Sequence, residues 1–130
     1  MSKSNIKTFE SFKKEKEYID DIEGILVELK DRGFQIYIEY SDDSSEFSIS
    51  ILKYKTVTRH VKREEGFKFN DVDEYLKTLV EYFKAYFKVK RIYYKVKSPN
   101  DNRKSSIIIL DDYIGTDSLY NIEMVVIIEN

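Results

Sequence analysis

His60 is the only histidine in the 130-residue chain, and it lies in the basic segment Thr56-Val57-Thr58-Arg59-His60-Val61-Lys62-Arg63. A general base needs a partner that orients it. No acid stands at a spacing that would supply one, so an exposed surface histidine is expected. Carboxylates gather as Asp20-Asp21, Asp42-Asp43 with Glu46, Asp71 with Asp73, and Asp111-Asp112 with Asp117. Oxygen sets of this kind suit hard cations, but a calcium loop needs alternating ligands, a sharp-turn glycine and a closing glutamate, an order that Asp111 to Asp117 lacks. Magnesium ligands on separate loops could still converge in three dimensions. Turn and cap roles account for each pair more cheaply. None of Gly24, Gly33, Gly66 and Gly115 forms a phosphate-cradling loop, and the serines show no nucleophile-elbow pattern. With no cysteine, thiolate catalysis, disulfides and cysteine-based zinc sites are all excluded. The residues assign no catalytic, cofactor or metal site, and the chain reads as a non-enzyme.

The stretch from Lys84 to Lys104 is the most suggestive surface feature. Lys84, Lys88, Lys90, Arg91, Lys95, Lys97, Arg103 and Lys104 are opposed there only by Asp101. Strand alternation puts Arg91, Tyr93, Lys95 and Lys97 on the side opposite Ile92, Tyr94 and Val96. Cations neutralise phosphates and a tyrosine can stack on a base, so these four could form a nucleic-acid face. The other reading is a solvated strand face whose lysines discourage edge-to-edge aggregation, and no RNP or GXXG signature favours the first. Tyr75, Tyr82 and Tyr86 flank an apolar helix stripe. They read either as core-edge packing with wet hydroxyls or as a partner interface.

The elements that must position these residues follow from hydrophobic period. Ile6, Phe9 and Phe12 stand three apart, which predicts a short helix or an arm over residues 1–14. Tyr18, Ile19, Ile22, Ile25, Leu26 and Leu29 predict one amphipathic helix from Glu15 to Arg32, ended by Gly33 in the left-handed region. Phe34 to Tyr40 alternates with period two, as does Glu46 to Tyr54, and Asp42 to Ser45 is turn chemistry between them. The alternation breaks at Ile51-Leu52, where a bulge or a strand end is expected. Residues 55–69 are a polar, basic connection of unassigned state. Asn70 is the expected N-cap of a helix from Asp71 to Phe87, with Val72, Leu76, Leu79, Val80, Phe83 and Phe87 on its apolar stripe. Strands follow at Lys90 to Lys97, Ile107 to Leu110 and Leu119 to Glu129, the last with Ile122, Met124, Val126 and Ile128 on one face. Loops lie at Ser98 to Asn102 and Asp111 to Ser118.

The expected fold is therefore α+β. Two helices pack on one face of a mostly antiparallel four- to five-stranded sheet, in the order α-β-β-α-β-β-β, with residues 15–130 as a single domain. Hydrophobic residues make up 42% and charged residues 35%, which argues against a disordered or membrane chain. The N-terminus lacks the apolar run of a secretory signal. The net charge of −2 hides a split: residues 53–104 hold 15 Lys or Arg against 7 Asp or Glu. The bias toward Lys over Arg (17 to 5) and the single alanine, Ala85, are what an AT-rich genome encodes.

Lys7-Thr8-Phe9-Glu10-Ser11-Phe12-Lys13-Lys14-Glu15 resembles the N-terminal capsid-targeting peptide of internal head proteins in T-even-type tailed phages. That pattern runs Lys-Thr-aromatic, then Phe three residues on, then a glutamate after which the prohead protease cuts. Lys7, Thr8, Phe9, Phe12 and Glu15 occupy the matching positions, while the place two before the glutamate, apolar in that family, is Lys13 here. The Asp21 to Phe34 stretch is similar to small proteins of AT-rich tailed phages. These resemblances imply a viral protein, in the virion or the host cytoplasm, that works by binding a phage or host protein. A nucleic-acid-binding domain using residues 53–104 is the alternative.

Overall fold

The computed structural model describes the backbone of residues 9–97, 106–108 and 118–129, and the side chains of 15–97 and 119–129. Helix α1 spans Phe9–Ile25, so the second half of the segment expected as an arm or short helix forms its first turns. The expectation of one helix to Arg32 is corrected. The chain turns at Leu26, and a separate one-turn helix α2 follows at Val27–Asp31. The Leu26 amide donates to both the Ile22 and Glu23 carbonyls, a tightened turn that leaves Ile22, Leu26 and Leu29 all fully buried. Gly33 ends this unit at φ +95°, in the region that a Cβ disfavours.

Strand β1 (Phe34–Ser41) pairs antiparallel with β2 (Glu46–Thr58) across the Asp42–Ser45 turn. Ser45, at φ 51°, accepts the Ile128 amide at 2.9 Å and so ties the turn to the last strand. Strand β2 outruns its expected end at Tyr54 and doubles back as β3 (Val61–Glu64), so part of the unassigned connection is a hairpin. No bulge interrupts Ile51-Leu52. Pairing to both neighbours is continuous there, and the irregularity falls between Thr56 and Thr58. The break in alternation has another cause: Leu52 is a buried apolar residue on the opposite face.

A two-residue strand β4 (Phe67–Lys68) leads into a 3-10 turn at Phe69–Asp71, then helix α3 (Asp73–Tyr86). Asn70 is not the cap of α3. The Asp71 carboxylate instead accepts the Lys68 amide at 3.0 Å and closes the 3-10 turn, and α3 starts two residues later. Strand β5 (Val89–Lys97) follows, then β6 (Ser106–Ile108), β7 (Ser118–Leu119) and β8 (Asn121–Ile128). Residues 109 and 110 of the strand expected at Ile107 to Leu110, the loop expected at Ser98 to Asn102, and residues 111–117 of the loop expected at Asp111 to Ser118 lie outside the described residues, while Ser118 itself is in β7. Leu119, expected in the last strand, instead pairs with Phe67 in a separate two-stranded sheet.

The main sheet runs β1-β2-β8-β5-β6, with β3 attached to β2, and every pair in it is antiparallel. Strand β8, last in the chain, therefore lies at its centre. The helices cover one face, as expected. Ile22, Leu26 and Leu29 join Leu76, Leu79 and Phe83 against Phe47, Ile49, Ile51, Tyr94, Ile122, Met124 and Val126 in one core cluster. Two hydroxyl bonds fasten the helices to one another: Tyr75 donates to Glu28 at 2.6 Å and Tyr82 to Asp21 at 2.9 Å. Those two tyrosines are thus core-edge residues, while Tyr86 is 63% exposed.

Candidate interaction surface

Directly paired residues of antiparallel strands share a face, so the register assigns the side of the sheet away from the helices. Arg91, Tyr93, Lys95 and Lys97 all lie on it, opposite Ile127, Val125, Glu123 and Asn121 of β8. The next strand contributes Glu46, Ser48, Ser50 and Leu52, and β1 contributes Ser41, Glu39, Tyr37 and Gln35. The inward set Ile92, Tyr94 and Val96 belongs to or packs against the core, as alternation requires.

Arg91 and Lys95 both approach Tyr93, while Lys97 turns to other partners. The Arg91 guanidinium stands 4.8 Å from the Tyr93 ring centre and the Lys95 ammonium 5.9 Å from it, so the ring has two cations near it. Lys97 donates to both carboxylate oxygens of Glu64, at 2.9 and 3.0 Å. Ser48 donates to Glu123 across the β2–β8 pair. Glu39, Glu46 and Glu123 share the face with the cations, which makes it mixed in sign. Its middle, on β2 and β8, carries Ser48, Ser50 and Glu123 between two buried apolar residues, Leu52 and Val125. Val125 is 3% and Leu52 7% exposed, although both stand outside the core cluster, and Tyr37 on the edge strand β1 is 53% exposed.

On the helix side, Val80, Phe87, Val89, Ile92 and Tyr94 line an open groove of about 480 Å³, rimmed by Lys84, Lys90 and Arg91. Burial of the Tyr94 ring pushes its hydroxyl up to about 12. Tyr82 is also raised, by burial and by its bond to Asp21. A raised folded-state value favours the neutral phenol, so this stabilisation is complete below the unfolded value near 10 and is lost as pH climbs toward 12. Tyr94→Phe is expected to remove about 2 kcal/mol of the alkaline fall in stability between about pH 10 and 12. Urea unfolding at a series of pH values measures it, and equal slopes for the two proteins would contradict the assignment.

His60 is exposed at the β2–β3 turn, where its amide donates to the Thr58 hydroxyl at 3.4 Å. Among the described residues no three His, Asp or Glu side chains gather to hold a metal. Asp21 and Asp71 serve the hydrogen bonds already described, Asp73 opens α3, and Asp111, Asp112 and Asp117 lie outside the described residues. Of the capsid-targeting positions, Lys7 and Thr8 lie outside them too, and α1 runs unbroken from Phe9 through Glu15, so a cut after Glu15 requires that helix to open. No described helix is long and apolar enough to cross a membrane. Comparison of the chain with protein-family models, with curated proteins and with solved structures gives no match.

Proposed function

We propose that the chain is a non-enzymatic accessory protein of a tailed phage that binds a folded protein, of the phage head or of the host, through the open face of its sheet. One observation carries the reading. The described helices lie on one side, and the other side presents the exposed Tyr37 on β1 and the half-buried Tyr93 on β5, interspersed with Glu39, Glu46, Arg91 and Lys95. Tyrosine and arginine are enriched at protein interfaces relative to the rest of a surface, and this face carries both beside acidic and basic side chains. A nucleic acid fits this face less well, because Glu39, Glu46 and Glu123 repel phosphate and Lys97 is held by Glu64.

The expected result is that Tyr37→Ala/Tyr93→Ala keeps the wild-type melting temperature within a few degrees but binds its partner more than about 30-fold more weakly, the loss typical of a hot spot. The partner is obtained by capture on the wild-type protein from phage-infected cells, and the affinity is then measured with the purified pair. Equal affinity of the two proteins would remove the sheet face from the proposal. Peptides from residues 16–130 in purified virions would support the head-protein form. Their absence would leave the host-factor form.

A further inference from the structure

Beyond β1 and β8, which pair with β2 only as far as Lys53 and Leu52, the hairpin of β2 and β3 continues alone. Every side chain from Tyr54 to Glu64 is exposed, so this two-stranded ribbon contributes nothing to the core. Its charge is one-sided. Lys55, Arg59, Lys62 and Arg63 are opposed only by Glu64, and Glu64 is bound by Lys97. Lys55 stands directly opposite Arg63 in the ladder. Like charges facing each other across a strand pair destabilise it, and among the described residues no carboxylate comes within ion-pair distance of any of the four cations. No described carboxylate offsets this repulsion, whereas a polyanion laid along the ribbon would relieve it.

We propose that the β2–β3 ribbon is a DNA-binding arm that enters the major groove of a duplex, with Lys55, Arg59, Lys62 and Arg63 on the phosphates. The groove of B-DNA is about 12 Å wide and admits a two-stranded ribbon, while the A-form groove of duplex RNA is too narrow for one. Five residues of β2 beyond Lys53 reach roughly 16 Å at strand rise, enough to cross it. Thr56 and Thr58 add hydroxyls on the same ribbon. This surface is separate from the sheet face proposed for a protein partner, and neither reading depends on the other.

Fluorescence anisotropy with a labelled DNA duplex tests it on the full chain. Four phosphate contacts predict that log affinity falls with log salt at a slope of about 3.5, and Lys55→Gln/Arg63→Gln should lower that slope by about 1.8. The same variant should bind roughly tenfold more weakly for each cation removed at about 0.1 M salt. Lys55→Glu guards against an unfolding artefact. It places opposite charges across the ladder, so the ribbon should keep or gain thermal stability while binding falls further. Lys77→Gln/Lys84→Gln on α3 should change nothing. The proposal is overturned by a wild-type protein that does not bind at low salt, or by ribbon variants that bind like wild type. It is overturned equally by duplex RNA binding as well as DNA, or by polyglutamate displacing the duplex at equal charge, which would mark an acidic protein as the partner.

Discussion

Phe83→Ala should lower the stability of the domain by about 3–5 kcal/mol, the range for removing a fully buried aromatic from a core that cannot collapse around the gap. Phe83 is the ring through which α3 meets the sheet. It is wholly buried, with its centroid 5.1 Å from Phe47, 5.9 Å from Phe87 and 5.5 Å from Tyr82. Phe47 in turn touches Tyr40 and Phe87, so the alanine leaves a cavity bounded by rings whose positions other contacts hold. Against a total stability of about 5–15 kcal/mol, such a loss brings the domain close to unfolding at ambient temperature. Lys95→Ala, on the open face of β5, should stay within about 0.5 kcal/mol because it empties no cavity. Urea midpoints of the two variants measure both numbers, and similar midpoints would mean that the face assignments are inverted.

Phe67→Ala is expected to cost about 3 kcal/mol, the lower end for a buried phenylalanine, since its site lies at the end of the core rather than the middle. Phe67 is 4% exposed and packs edge-on against Phe34 with centroids 5.2 Å apart. Its strand partner Leu119 is fully buried, and Phe69 two residues on is 7% exposed. Together they close the end of the core from a segment that carries no helical or strand period of its own. Thermal unfolding monitored by circular dichroism provides the check. A change under about 1 kcal/mol, the scale of an ordinary surface site, would show that the β4–β7 pair is peripheral.

Period alone located the main elements. The stripes of Ile22, Leu26 and Leu29 and of Leu76, Leu79 and Phe83, and the alternation of Phe47, Ile49 and Ile51, all reach the core as their spacing requires, because burying one face is the common need of a helix and a half-covered strand. The same alternation placed Arg91, Tyr93, Lys95 and Lys97 together on the outer side. Local capping was less legible: Asp71 rather than Asn70 closes the turn before α3, since either residue type can accept a backbone amide and only the path of the chain selects one. The β2–β3 hairpin was hidden because its turn is Arg59-His60, without the Asn or Gly that marks a tight hairpin, and because an exposed ribbon has no apolar face to impose a period. What only tertiary structure decided is pairing between distant segments. The placing of β8 between β2 and β5 sets Val125 against Ser48 and Tyr93, carries Glu123 to Lys95, and leads Leu119 to Phe67. Residue types state which face of a strand seeks burial, but the neighbour across the ladder is chosen by the energy of the whole sheet, in which many segments compete for the same edge.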